Sequence, residues 1–178
     1  MKITINRDSL LKPLQVVSGV VEKRQTLPIL SNVLMIVEGK KLTLTGTDLE
    51  VELTATTNDI ESDTDGEITI PARKFIDICK SLPESSMIEM IVEDNKTIIR
   101  SGKSRFTLAT LPATDFPSSE SVTAAREFSI SQGILKHLID QTYFCMANQD
   151  VRYYLNGLLL ELNPTSLRAV ATDGHRLA

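Results

Sequence analysis

The feature that most constrains this chain is a long-period echo within it. Leu10-Leu11-Lys12-Pro13-Leu14 is answered by Ile134-Leu135-Lys136-His137-Leu138, an offset of 124 residues. The same offset sets Leu30-Ser31-Asn32-Val33-Leu34 against Tyr154-Leu155-Asn156-Gly157-Leu158. One further residue sets Thr47-Asp48 against Thr172-Asp173. Both copies read in one order: strand, amphipathic helix, junction loop, two strands, Thr-Asp. A solenoid repeats every ~20–50 residues, so this period predicts tandem domains of one fold instead.

The hydrophobic pattern fills in the elements. Met1–Asn6 alternates apolar and polar residues and predicts a strand. Asn6 or Asp8 then caps a helix expected to reach about Glu22, with Leu10, Leu14, Val17 and Val21 on one face and a mild bend at Pro13. After a loop at Lys23–Pro28, strands are expected over Ile29–Glu38, Lys41–Thr47 and Glu50–Thr56, then an acidic loop over Asn58–Gly66. A strand at Glu67–Ile70 leads into a second helix over Pro71–Leu82, with Pro71 at its first position. Strands at Met87–Val92, Thr97–Ser101 and Arg105–Thr110 complete the first copy, and Leu111–Ala125 reads as a linker.

The second copy predicts a strand at Glu127–Ile130, a helix over Ser131–Phe144, and strands at Tyr153–Asn163 and Ser166–Thr172. The expected class is α+β, with helices on one face and antiparallel sheets on the other, and with domains at residues 1–120 and 121–178. The second copy holds one helix and three strands at most, against two helices and seven or eight strands in the first. A half domain buries too little surface to offset chain entropy. The sequence is therefore expected to be part of a longer chain, with the second domain truncated.

Hydrophobic residues make up 42% of the 178, enough for a packed core. No apolar run approaches the ~20 residues of a membrane span, and the N-terminus lacks the apolar block of a signal peptide. A cytoplasmic protein without membrane contact is the expectation. Cys79 and Cys145 have no Cys or His at metal-ligand spacing and sit in apolar contexts, which predicts buried free thiols, no metal and no cofactor.

The net charge of −4 argues against a polyanion partner only if charge is evenly spread. It is not. Arg7–Arg24 and Pro71–Leu82 each carry a net +2, which leaves −8 for the remainder. Helices lining one face would make that face positive and attractive to phosphates of any sequence. Arg24, Gln149, Tyr153 and Tyr154 lie in the junction loops beside the helices, where Arg, Gln and Tyr donate to phosphate and Tyr stacks on bases. Two adjacent tyrosines at a strand start equally fit one ring in the core and one at its rim.

The run T-D-G-H-R offers a rival reading, an enzyme with Asp173 and His175 as an acid–base pair. Against it, Thr-Asp recurs as Thr47-Asp48 with Glu50 at the histidine's place, which favours a strand-end turn in both copies. A third reading is a β-rich interaction module without DNA.

Six motifs then carry a resemblance: T-L-P-I-L-S-N (26–32), L-T-G-T-D-L-E (44–50), P-A-R-K-F (71–75), S-R-F-T-L-A-T-L-P-A-T-D-F-P (104–117), Q-D-V-R-Y-Y-L-N-G (149–157) and A-T-D-G-H-R-L-A (171–178). Across essentially its whole length the chain resembles the bacterial DNA sliding clamp family, the beta subunits of DNA polymerase III. The resemblance implies a non-catalytic processivity factor: three clamp domains per chain, two chains closed head to tail, helices lining a hole that holds duplex DNA. It implies DNA contacts at Arg24, Arg73, Gln149, Tyr153 and Tyr154. It implies one wall of a partner-peptide cleft at Leu155, Thr172, Gly174, His175, Arg176 and Leu177, which receives short motifs from the polymerase III alpha subunit, the clamp loader and repair polymerases. It leaves the ring and the cleft's other wall to residues beyond this sequence.

Overall fold

A computed structural model describes residues 1–21, 27–117 and 127–178. They separate into two compact units, Met1–Ser121 and Val122–Ala178. In the first, the chain runs β1 (Lys2–Asn6), α1 (Arg7–Val17), β2 (Asn32–Glu38), β3 (Lys41–Thr47), β4 (Glu52–Thr57), β5 (Ile60–Ser62), β6 (Gly66–Pro71), α2 (Ala72–Ser81), β7 (Met87–Glu93), β8 (Lys96–Ser101) and β9 (Ser104–Ala109). A five-stranded sheet has the order β5-β1-β7-β8-β9, and a four-stranded sheet the order β4-β3-β2-β6. All pairings are antiparallel.

The two helices pack on each other and on both sheets. Leu10, Leu14 and Val17 of α1 and Ala72, Phe75 and Cys79 of α2 point inward. They meet alternate residues of the strands, among them Ile3, Ile5, Val33, Met35, Leu42, Leu44, Ile70, Ile88, Met90 and Ile99. Burying each such side chain contributes about 1.5–3 kcal/mol. The helical period on one side and the strand period on the other therefore serve one core. The opposite faces of both helices are left to the solvent.

Several boundaries differ from the sequence reading, each for a local reason. Helix α1 ends at Val17, short of Glu22, because the Ser18 hydroxyl donates to the Leu14 carbonyl at 2.6 Å and Gly19 follows. A close approach holds that end: a Cβ on Gly46 of β3 would stand 2.5 Å from the Val17 carbonyl oxygen, so only glycine fits there. Asn6 is the residue that caps α1, accepting from the Asp8 amide at 2.9 Å. Pro71 ends β6 and precedes α2 rather than opening it. The segment expected as an acidic loop contains β5, which buries Ile60 against β1. The strand expected from Ile29 opens with a 3₁₀ turn, Pro28–Ser31.

The second unit contains α3 (Gln132–Asp140), 3₁₀ turns at Tyr143–Cys145 and Tyr153–Asn156, and the hairpin β10 (Leu159–Asn163) with β11 (Ser166–Val170). The Ser131 side chain caps α3 by accepting from the Ile134 amide. At the other end the Thr142 hydroxyl donates to the Leu138 carbonyl at 2.7 Å, and the chain leaves the helix well before Phe144. Glu127–Ile130 forms no strand. Its match β1 pairs with β5 and β7, and neither partner has a counterpart among the described residues of this unit. Cys79 and Cys145 are both buried free thiols.

Candidate nucleic-acid interface

Helix α2 is the clearest basic surface. Its buried stripe, Ala72, Phe75 and Cys79, turns Arg73, Lys74, Asp77 and Lys80 outward. Arg73, Asp77 and Lys80 fall at i, i+4 and i+7, so they share one ridge. With Ser18, Val21 and Ser31 they line a cleft of about 440 Å³. Among the described residues, Arg73, Lys74, Lys80 and Lys12 of α1 have no ion-pair partner within 4.0 Å. They are held as solvated cations, the form in which phosphate oxygens meet them.

Arg7, which the sequence reading counted with these cations, is engaged inside the fold. Its guanidinium donates to the Cys79 carbonyl at 2.9 Å and pairs with Asp8 at 2.6 Å. Asp8 in turn accepts from the Ser85 amide at 3.0 Å. Those bonds, the Arg7 bond first, hold the Asp8 carboxyl below the usual range. Arg7 thus ties the start of α1 to the end of α2 and is 14% exposed. Arg24 lies outside the described residues.

The second unit brings the other sequence candidates onto one loop and one turn. The loop runs from Gln149, which has a left-handed backbone with φ 56°, to Asn156. Asn156 closes it: its side-chain amide donates to the Asp150 carbonyl and its side-chain oxygen accepts from the Asp150 amide, both at 3.0 Å. Asp150 also grips Arg152 with a two-pronged pair, 3.1 Å from Nε and 2.9 Å from a terminal nitrogen. The Arg152 guanidinium is the first cause that holds the Asp150 carboxyl down at about 2. With its base fixed, the loop projects Tyr153 and Tyr154, 83% and 68% exposed. Their rings meet edge to face at 6.0 Å. Neither ring enters the core, which removes the core-and-rim alternative. They stand on a 3₁₀ turn rather than at a strand start because Asn156 curls the chain back on Asp150.

The turn is Thr172–Leu177. The Thr172 hydroxyl donates to the Arg176 carbonyl at 2.7 Å and accepts from the Gly174 amide at 3.0 Å. Asp173 accepts the amides of His175 and Arg176 and the Arg176 side chain, each at 2.9 Å. These donors, backbone amides first, hold its carboxyl at about 2. The imidazole of His175 is not among its partners. A carboxylate so fully engaged and so acidic is a poor base, and Asp173 contacts the main chain of His175 rather than the ring. His175 and Leu177 are exposed.

The first copy holds the same turn. The Thr47 hydroxyl donates to the Val51 carbonyl and accepts from the Leu49 amide, at 2.9 and 3.0 Å. Asp48 accepts the amides of Glu50 and Val51, at 2.9 and 2.7 Å. The four bonds that threonine and aspartate make to the main chain recur in both copies, and the second copy adds the Arg176 side chain on Asp173.

The loop and turn touch. The Arg152 guanidinium lies 3.5 Å from where a Cβ on Gly174 would stand; within the loop, Leu155 donates its amide to the Arg152 carbonyl at 2.9 Å. Sequence reasoning missed Asp150, Arg152 and Asn156. The signals that would have found them are the Asp-x-Arg spacing and an Asn six residues after Asp150.

Comparison with known proteins completes the assignment. The model of the DNA polymerase III beta subunit N-terminal domain matches residues 1–120, and that of the central domain matches residues 129–178. The chain belongs to the DNA polymerase III beta subunit family. Within that family it is 61% identical to the beta sliding clamp of Pseudomonas aeruginosa over 178 residues, and 52% identical to that of Escherichia coli. The crystal structure of the DNA polymerase III subunit beta from Pseudomonas aeruginosa superposes with a TM-score of 0.96 at 60% identity, covering 99% of this chain and 48% of that one. The Caulobacter crescentus pol III beta structure gives 0.93 at 42% identity, covering 99% and 49%. The chain spans about half the length of the curated relatives it matches.

Proposed function

We propose that this chain supplies DNA-facing and partner-facing surfaces of a beta sliding clamp, a ring that encircles duplex DNA and tethers the replicative polymerase. Residues 1–120 act as its first clamp domain and residues 121–178 as part of its second. Arg24, Arg73, Gln149, Tyr153 and Tyr154 meet the DNA. Leu155, Thr172, Gly174, His175, Arg176 and Leu177 form one wall of a cleft for short peptide motifs of the polymerase III alpha subunit, the clamp loader and repair polymerases. In a chain of its relatives' length, two copies close the ring in the cytoplasm.

The observation that carries the reading is the set of cations on the solvent face of α2, Arg73, Lys74 and Lys80, which have no ion-pair partner among the described residues, in a chain whose net charge is −4. A ring held on by topology needs no tight grip, and contacts to phosphate alone let it slide, because they carry no sequence information. Processivity follows from tethering: a polymerase bound to the ring rebinds its primer end intramolecularly, at high effective concentration. No step in this account makes or breaks a covalent bond, so no catalytic residue, metal or cofactor is required.

The test uses a chain extended to the length of its relatives and loaded on nicked circular DNA. Salt washing should leave the protein on the circle and release it once the circle is cut. Equal salt release from circular and linear DNA contradicts the ring.

A further inference from the structure

The loop that presents Tyr153 and Tyr154 and the turn that presents Gly174 to Leu177 share one side chain. Arg152 has five N–H donors. Asp150 takes the one on Nε and one on a terminal nitrogen, while the other terminal nitrogen lies over Gly174, 3.5 Å from where a Cβ there would stand. Asp150 first, and Asp173 at the hub of the turn after it, stabilise the Arg152 cation. Arg152 and Asp150 are 49% and 24% exposed, so an incoming anion can reach the pair.

We propose that Arg152 is a positioning residue that couples DNA contact at the loop to the shape of the peptide-cleft wall. This rests on the reading above that Tyr153 and Tyr154 meet DNA. A phosphate oxygen accepts from a guanidinium in the same fork geometry as a carboxylate. Phosphate drawn to the loop therefore competes with Asp150 for Arg152 and withdraws the guanidinium from Gly174. The turn stays folded, because Thr172 and Asp173 hold it independently, but the surface over Gly174 is uncovered. Coupling is reciprocal, so an occupant of that surface shifts the loop in return.

The experiment is a titration of the chain, extended to the length of its relatives, with a mixed-sequence duplex, followed by NMR at the Tyr153 and Tyr154 rings and at the amides of Gly174, His175 and Arg176. In the native chain both sets should shift with one binding curve. In Arg152→Gln the ring shifts should persist and the turn shifts vanish. Arg152→Lys should behave like Arg152→Gln, because an ammonium cannot bind Asp150 in a fork. Unchanged amide signals of β10 and β11 report that each variant is folded. Asp150→Asn, which frees Arg152 without removing it, should show the turn amide signals already shifted before DNA is added. Ring shifts without turn shifts in the native chain, or turn shifts that survive in Arg152→Gln, overturn the coupling and leave the DNA reading intact. Rings that do not respond to DNA overturn both.

Discussion

Leu49 and Gly174 occupy the same position in two copies of one turn, and both have a left-handed backbone, φ 79° and 88°. Each donates its amide to the threonine two residues earlier, Thr47 or Thr172, at 3.0 Å. The turn demands that conformation of whatever stands there. Glycine meets the demand without penalty, whereas an L side chain loses roughly 1–2 kcal/mol. The Leu49 side chain is 60% exposed and so recovers little by packing.

Leu49→Gly is therefore expected to stabilise the first unit. The gain is the relieved strain less the ~0.5–1 kcal/mol of chain entropy that glycine loses on folding, a net of about 1 kcal/mol or less. Gly174→Leu should destabilise the second unit by roughly 1–2 kcal/mol. Denaturant melts of both variants check the opposite signs; the same sign in both contradicts the shared motif.

The core makes a blunter prediction. Phe75 is fully buried between α2 and both sheets. Phe75→Ala removes that volume and is expected to cost about 3–5 kcal/mol, seen as a lower unfolding midpoint. The neighbouring Lys74, on the exposed face of the same helix, should tolerate alanine within about 0.5 kcal/mol.

The two acidic turns should loosen together in acid. Asp150 and Asp173 titrate at about 2 in the folded chain, below the ~3.9 of an unfolded aspartate. A depressed folded value means stabilisation that is present above pH ~4 and lost as pH falls toward 2. The protection of the Arg152, His175 and Arg176 amides, taken relative to each amide's intrinsic exchange rate and followed from pH 6 downward, should hold steady and then fall in that window. Asp173→Asn should remove the acid step at His175 and Arg176 while leaving the one at Arg152.

Cys79 should be inert. Burial pushes its thiol up to about 12, so the thiolate that attacks disulfide reagents is almost absent at neutral pH. A colourimetric thiol reagent should leave Cys79 unmodified in the folded chain and modify it in denaturant. Rapid native modification contradicts the packing of α2.

Much of this arrangement is legible in the residues because periodic constraints repeat. The stripe Leu10, Leu14, Val17 and the alternation of Val33, Met35 and Val37 each recur often enough to reveal an element, and the Thr-Asp echo marks one turn twice. What stays hidden depends on single contacts made at a distance. Nothing in the sequence says that Arg7 reaches the Cys79 carbonyl, 72 residues away, rather than the solvent. Three residues of β5 inside an acidic segment carry too little pattern to announce a strand that exists only because β1 offers it an edge. Arg152 reads as one more loop cation until its distances to Asp150 and Gly174 are known. The junction loops themselves pointed to Arg24, Gln149, Tyr153 and Tyr154, and the resemblance added Arg73; Asp150, Arg152 and Asn156 are linked only by contacts that the fold makes.

The central claim is that this chain meets duplex DNA through phosphates alone, with Arg73 among the contacts. Its most direct test is the affinity of the chain for two duplexes of unrelated sequence, measured by fluorescence anisotropy across a salt series. The account predicts equal affinities for both duplexes and a linear fall of log K with log salt. It also predicts that Arg73→Ala reduces that slope by about 1 without changing the melting curve. An affinity that depends on base sequence, or a slope that Arg73→Ala leaves untouched, contradicts it.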